Sequence, residues 1–320
     1  MLGKPSGEIP VLDLFCGMGG LALGFARNGF AVTGYDIHPR VTEIFEMNQV
    51  GKARVADLTK DPISPEDRDV PLVIGGPPCR PWSILNLRRR GTRHPEYDLL
   101  RSFAGIVKDV LPEAFLMENV PLLSRDPALK DCFHTLNDAY EMEHSIVCYA
   151  DYGAATARRR LILAGFRRNR SSGRARQFFE RLKDFRRPPR SVRSALEDLA
   201  GINPESDPDH VWFNFQTIDR YQEKYRSGKY GWYQLHPDRP APSFGNIGKT
   251  YILHPFAGNG HGVPLRVLSV REAMTIMGFP RDFRFPPGMS KTLRYQMVAD
   301  AVSPVFAAVC ARVMRELLEK

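Results

Sequence analysis

Three short stretches of this 320-residue chain hold side chains whose types and settings suit covalent chemistry. In GGPPCRPWS (Gly75–Ser83), an apolar run ends in Gly-Gly-Pro-Pro and Cys79 follows on a stiffened loop. The thiolate is the nucleophilic form of cysteine, and the cation of Arg80 next door favours it. A lone cysteine is more often a small core hydrophobe, yet one set among Pro, Pro, Arg and Pro suits a core poorly. In FLMENVP (Phe115–Pro121), Glu118 and Asn119 leave a second apolar run. A carboxyl at the mouth of such a run is open to desolvation, which equips it to donate a proton. DYGAATARRRLILAGF then sets Arg158, Arg159 and Arg160 before a third apolar run. In extended chain Arg158 and Arg160 share a face, where they could hold a carbonyl or phosphate; plain surface charge is the other reading.

The elements that must position these groups alternate between strand and helix patterns through residue 166. Short apolar runs at Ile9–Phe15, Phe30–Asp36, Val70–Gly76, Pro112–Val120, His144–Ala150 and Leu161–Phe166 read as strands. Helical patterns between them predict a parallel α/β sheet. DLFCGMGGLALGF puts Gly17, Gly19 and Gly20 directly after the first strand, where a tight turn can bring backbone amides close to a ligand. Read as G-x-G-x-x-A, it resembles a dinucleotide fingerprint, with Asp36 at the end of the second strand able to hold ribose hydroxyls. A plain tight turn is the bland alternative. Asp57, in VADLTK, is an acid at a similar edge, although a lone loop Asp is usually a turn residue.

The net charge of +9 is localised. Arg167–Arg193 carries eleven Lys/Arg against Glu180 and Asp184, a surplus equal to that of the whole chain, while 34 basic and 34 acidic residues balance elsewhere. The stretch reads as a phosphate footprint or as a solvated surface. After it the chain is rich in Tyr, Trp, Pro and Gly through about residue 265. Helical patterning returns at Leu268–Phe279 and in AVSPVFAAVCARVMRELLEK. The middle therefore reads as a smaller domain inserted in a larger one. Five scattered cysteines without a CxxC pair indicate neither a disulfide framework nor a metal site. No 18-residue apolar run and no signal-peptide pattern is present, so the expected setting is cytoplasmic, without a membrane partner.

In order, DLFCGMGG, YDIHP, ADL, GGPPCRPWS, ENVP, ARRRLILAGF, RVLSVREAMTIMGFP and YQMVADAVSP resemble the ordered motifs of the cytosine-C5 DNA methyltransferases. The resemblance covers Val11–Phe166 and Arg266–Pro304, and the insert falls where that family keeps its target-recognition domain. It implies an α/β, Rossmann-like sheet of the S-adenosylmethionine-dependent methyltransferase type. Residues 1–166 and 266–320 would form the catalytic domain and 167–265 the smaller inserted reader. It implies S-adenosylmethionine as cofactor, S-adenosylhomocysteine as product, and double-stranded DNA as partner of a monomer, with a cognate restriction endonuclease as functional companion. Cys79 would add to C6 of a flipped cytosine and Glu118 would hold N3. Arg160 would contact O2, and Arg158 would orient the cysteine loop or a phosphate. Phe15 and Ile37 would flank the adenine, Asp36 would bind the ribose, and Asp57 with Leu58 would read the adenine edge. Gly17, Gly19, Pro78, Leu99 and Asp300 would complete the pocket.

Some positions depart from the family pattern: Thr156 stands for a usual Gln, Ala299-Asp300 for a usual Gly-Asn, and Arg80 for a frequent Gln. Within the insert, His210, Trp212, Asn214, Gln216, Trp232, Asn246 and Lys249 are candidate base contacts. Three other readings compete. A tRNA cytosine methyltransferase shares the chemistry, but the long insert favours a sequence-reading DNA enzyme. A silent nucleic-acid-binding regulator sits badly with intact Cys79 and Glu118. A nicotinamide oxidoreductase leaves both of those residues unexplained.

Overall fold

A computed structural model describes residues 7–82, 92, 94–168, 172–199, 206–212, 222–227, 232–258 and 265–319. Contacts gather the chain into two compact units. The first comprises Met1–Val147, Arg159–Arg186 and Phe306–Lys320; the second comprises Cys148–Arg158 and Arg187–Val305.

The first unit is built on a seven-stranded sheet. Its strands are β1 (Ile9–Leu14), β2 (Phe30–Asp36), β3 (Lys52–Val55), β4 (Leu72–Gly75), β5 (Ala114–Asn119), β6 (Tyr140–Cys148) and β7 (Arg159–Arg167), in the spatial order β3-β2-β1-β4-β5-β7-β6. Strands β3 to β5 pair in parallel. The expectation of a wholly parallel sheet fails at β7, which runs antiparallel to β5 from Asn119↔Leu161 to Ala114↔Phe166. Only residues 149–158 join β6 to its neighbour β7, too short a link for the helical crossover that parallel strands need. Strand β3 escaped the sequence reading because it is short and polar, with no apolar run to mark it. Strand β6 begins at Tyr140, ahead of the expected His144, and stops before a short 3-10 turn at Tyr149–Tyr152.

One face of the sheet is covered by α3 (Leu99–Val110) and α4 (Pro127–Leu136). Leu100, Phe103, Ala104 and Val107 recur at helical spacing, and all are buried. Phe103 meets Phe115 of β5 edge-on at 6.2 Å, each burial contributing roughly 1.5–3 kcal/mol. Asp126 caps α4 by accepting the Ala128 N–H, with Pro127 at the first helical position. Helices α1 (Gly20–Ala26) and α2 (Val41–Met47) follow β1 and β2, and α5 (Arg174–Asp184) follows β7. Gly24 of α1 lies so close to the C-terminal helix that a Cβ there would come within 2.3 Å of the Ala307 Cβ.

The second unit has short elements: α6 (Val192–Leu196), α7 (Gln222–Arg226), α8 (Ile247–Thr250), α9 (Val270–Met277) and α10 (Lys291–Asp300). The C-terminal helix α11 (Pro304–Leu318) then returns to the first unit. Its strand-like contacts are isolated bridges, Thr156↔Ala241, Gln234↔Leu253 and Leu253↔Val267. Charged pairs supply much of the stitching. Arg266 binds Glu272 through two bonds of 2.7 and 2.6 Å, Arg271 reaches Asp207 at 2.7 Å, and Arg294 reaches Asp209 at 2.7 Å. Ser269 and Glu272 also close a capping box at the start of α9. Among the described residues, the stretch long and apolar enough to cross a membrane is Lys291–Leu318, and 72% of its most apolar window is buried inside the protein.

Candidate active site

At the carboxyl ends of β1 and β2 the chain makes the expected glycine turn. Gly17 (φ +52°) and Gly19 (φ +83°) take left-handed backbone, as does Phe15 (φ +59°), a conformation that costs a bulky side chain energy. Asp36 organises the turn: its carboxylate accepts the Gly17 N–H at 2.9 Å and the His38 N–H at 2.8 Å. A carboxylate has about four acceptor sites, so capacity remains for ligand hydroxyls. A Cβ built on Gly17 would meet nothing within 4 Å, and Ile37 beside Asp36 is 67% exposed. An open glycine cradle, an acceptor carboxylate and a bare apolar side chain fit a nucleoside.

The other pocket candidates are placed less alike. Leu58 is buried, whereas Pro78 and Leu99 are half-buried. The Asp57 carboxylate is engaged locally. It accepts the Thr59 hydroxyl at 2.6 Å and pairs with Lys60 at 2.9 Å, which together hold its pKa down at about 2. Asp300, in the second unit, is exposed and accepts the Gln296 amide. One acid was passed over by the sequence reading. Asp13, inside β1, is buried, and neither carboxyl oxygen meets a hydrogen bond of normal geometry. Burial first, and then the charge of Asp36, push its pKa up to about 8, with the Ala22 backbone amide pulling less strongly the other way. In sequence it merely interrupts an apolar run, which is the signal that could have marked it.

At the ends of β4 and β5 the reactive groups come together across long sequence distances. Asn119 donates through Nδ2 to the Pro77 carbonyl at 3.0 Å, which ties the Pro-Pro-Cys loop to the end of β5. On the same loop, a Cβ on Gly76 would sit 3.5 Å from Glu118 Oε2. Cys79 is half-buried, in no disulfide, and its carbonyl accepts the Trp82 N–H as the loop enters a 3-10 turn. Arg80 is exposed and pairs with Glu96 at 2.5 Å, so its cation is shared rather than devoted to Cys79. Arg160 Nε meets Glu118 Oε1 at 2.7 Å with both side chains 9% exposed, and its Nη1 donates to the Arg159 carbonyl. The antiparallel register makes this pairing possible, because it sets the start of β7 beside the end of β5.

Arg158 is separated from that pair by its contacts. It is buried in the second unit, donating to the carbonyls of Phe244 at 3.4 Å and Ala299 at 2.5 Å. Thr156 is buried in the bridge to Ala241. Among the candidate base contacts, His210 is buried against the Ser269 hydroxyl at 2.9 Å, and burial lowers its pKa. Asn246 is buried and bonds to Thr292 and Gln296. The Trp212 ring lies under the Arg266 guanidinium at 4.3 Å, and Trp232 stacks with Lys224 at 4.4 Å. Lys249 is exposed. Asn214 and Gln216 lie outside the described residues.

The reversed seventh strand on an otherwise parallel sheet, with a glycine turn after β1, defines the Rossmann-like fold of the S-adenosylmethionine-dependent methyltransferases. Solved structures share it: the S. pombe Dnmt2 methyltransferase (17% identical, TM-score 0.73, covering 98% of this chain and 99% of that one) and the Entamoeba histolytica methyltransferase EhMeth (17%, 0.71, 98% of each). The model of the C-5 cytosine-specific DNA methylases matches residues 9–316, and the chain belongs to that family. Among its relatives are the type II methyltransferases M.FnuDI of Fusobacterium nucleatum, 29% identical over 96% of this chain and 94% of that protein, and M.MthTI of Methanothermobacter thermautotrophicus, 28% identical over 98% and 97%.

Proposed function

We propose that this protein is a DNA (cytosine-5)-methyltransferase that modifies a cytosine flipped out of a specific duplex sequence, with Cys79 as nucleophile. The observation that carries this reading is the junction of the Cys79 loop with Glu118 through the Asn119–Pro77 bond. Cytosine C5 is a weak nucleophile. Addition of the Cys79 thiolate at C6 converts the ring to an enamine, while Glu118 holds or protonates N3 and so stabilises the adduct. Arg160 keeps the Glu118 carboxyl in place and would contact the cytosine O2. Arg158 acts from the second unit, holding the segment that leads into β7. S-adenosylmethionine, when bound, would supply the electrophilic methyl group for C5. Asp36 would hold its ribose, Phe15 and Ile37 its adenine, and Gly17 and Gly19 its backbone approach, with Asp57, Leu58, Pro78 and Leu99 around them. Loss of the C5 proton and expulsion of Cys79 then restore the aromatic ring. C6 is inaccessible inside a duplex, so the base must leave the stack at a cost of a few kcal/mol.

On this reading residues 167–265 act as the target-recognition part and residues 1–166 with 266–320 as the catalytic part. The protein works as a monomer, as the modification half of a restriction–modification pair. The family match and the type II relatives support DNA over tRNA as substrate. The test is transfer of labelled methyl to duplex DNA and to tRNA by wild type and Cys79→Ser. The wild type should label DNA, and the variant should fall by at least about three orders of magnitude. Duplex bearing 5-fluorocytosine should trap the wild type covalently. Turnover on normal DNA without any trapped adduct would refute attack by cysteine.

A further inference from the structure

The basic stretch at Arg167–Arg193 splits into two parts with different fates. In the first unit five of its described arginines have partners within the fold, while Arg186 is exposed. Arg167 donates to the Leu111 carbonyl and Arg168 to Asn137, Arg174 is buried over the Phe166 ring, Arg176 pairs with Glu180, and Arg181 with Glu316. The register also places Arg167 at the wrong edge of the sheet. Strand β7 runs from Arg160 beside Glu118 to Arg167 beside Glu113, so the stretch begins opposite the reactive groups.

The second part lies in the second unit and is arranged otherwise. Its backbone is knitted to two other segments. The Arg187 N–H bonds to the Asp151 carbonyl at 2.8 Å, Val192 N–H to Arg239, Arg193 N–H to Pro237, and Ala241 joins Ala155 and Ala157. Arg187, Arg190 and Arg239 are exposed, and none has an ion-pair partner among the described residues. Arg190 folds back on the Ser194 carbonyl at 2.6 Å and hydroxyl at 3.4 Å. Arg193 is taken up by Asp238 at 2.8 Å and by the Phe256 ring. The acids of these segments are Asp151 and Asp238. Pro188 and Pro189 restrict the backbone between Arg187 and Arg190. The arginines are thus displayed on pinned backbone, which lowers the entropy lost when they bind anions. The segment they join, residues 151–158, is the one that feeds Arg158 and Arg160.

We infer that Arg187, Arg190 and Arg239 form a strip that binds backbone phosphates of the duplex, and that Arg167, Arg168, Arg174, Arg176 and Arg181 take no part in DNA binding. The inference rests on the DNA-methylating reading and adds the place of contact. Its test is the salt dependence of affinity for a fluorescently labelled mixed-sequence duplex between about 50 and 200 mM salt. Each lost phosphate contact lowers the slope by about 0.9, so Arg187→Gln/Arg190→Gln/Arg239→Gln should lose about 2–3 from it. A matched variant, Arg167→Gln/Arg168→Gln/Arg176→Gln, removes the same charge and should keep the wild-type slope. Circular dichroism and melting of both variants establish that they are folded. A wild-type slope in the strip variant, equal losses in both variants, or a loss seen with an RNA hairpin and not with the duplex would each overturn the inference. Methyl transfer by the wild type is scored in parallel. An enzyme that methylates DNA while the strip variant keeps its slope refutes only the strip; one that methylates no DNA refutes the functional reading.

Discussion

The two units bury charge in opposite ways. Apart from the Glu118–Arg160 pair at its reactive edge and Arg174 over the Phe166 ring, the first unit has a largely apolar core under an extended sheet, and within it Asp13 stands without a cation. Such a carboxyl avoids the cost of burial by keeping its proton. The second unit buries acids as ions. Burial alone would raise the pKa of Glu272, but the two bonds and the charge of Arg266 more than offset it and hold it low. Arg271 does the same for Asp207, helped by the Asp209 N–H. Beside them His254 is kept neutral, burial lowering its pKa to about 4 against the pull of Glu272. The difference follows from architecture. A sheet satisfies its backbone through ladders and needs no polar core, whereas a unit of short helices and single bridges fixes its geometry through directional side-chain pairs.

The contrast predicts opposite responses to pH. Below pH about 4, Asp13 is protonated in both folded and unfolded chains. Between about 4 and 8 the folded protein retains a proton that the unfolded chain has released, so stability falls as pH rises, by at most about 1.4 kcal/mol per unit. Asp13→Asn should remove that slope and gain most above pH 8, read from urea unfolding over a pH series. An unchanged slope would remove Asp13 from the argument. Glu272 and Asp207 act in the other sense: their contribution is present at neutral pH and lost as pH falls below the usual carboxylate range.

Arg271→Met should be next in size. It leaves Asp207 buried without its cation and Asp209 with only Arg294, at a cost of about 3–5 kcal/mol. A loss below about 1 kcal/mol would mean that the second unit does not depend on its ion pairs. In the first unit, where packing carries the load, Gly24→Ala should cost about 1–3 kcal/mol, because its Cβ meets helix α11 rather than a flexible tip. Thermal melting distinguishes that loss from the stabilisation Ala normally gives an open helix. The smallest effect should come from Arg176→Ala, which breaks an exposed i,i+4 pair with Glu180 and should cost about 0.3–0.5 kcal/mol, less in high salt. A comparable loss at Arg271 and Arg176 would erase the distinction between buried and exposed pairs.

Local features follow from short stretches of the chain. Strand β2 matches its apolar run end for end, Gly17 and Gly19 supply the left-handed turn, and Cys79 and Glu118 fall at strand ends as their flanking runs dictate. Those features were legible because turn chemistry and apolar periodicity act over a few residues. Strand β3 was not, since an edge strand without an apolar face has no such signature. Long-range packing set the rest. It reversed β7 and so joined Arg160 to Glu118, placed Arg158 against the carbonyls of the second unit, and buried Asp13 without a cation. It also divided one basic stretch between structural ion pairs and an exposed strip. Each of these depends on what a side chain meets across tens of residues, and a charge or carboxyl takes its role from that neighbour, not from its position in the chain.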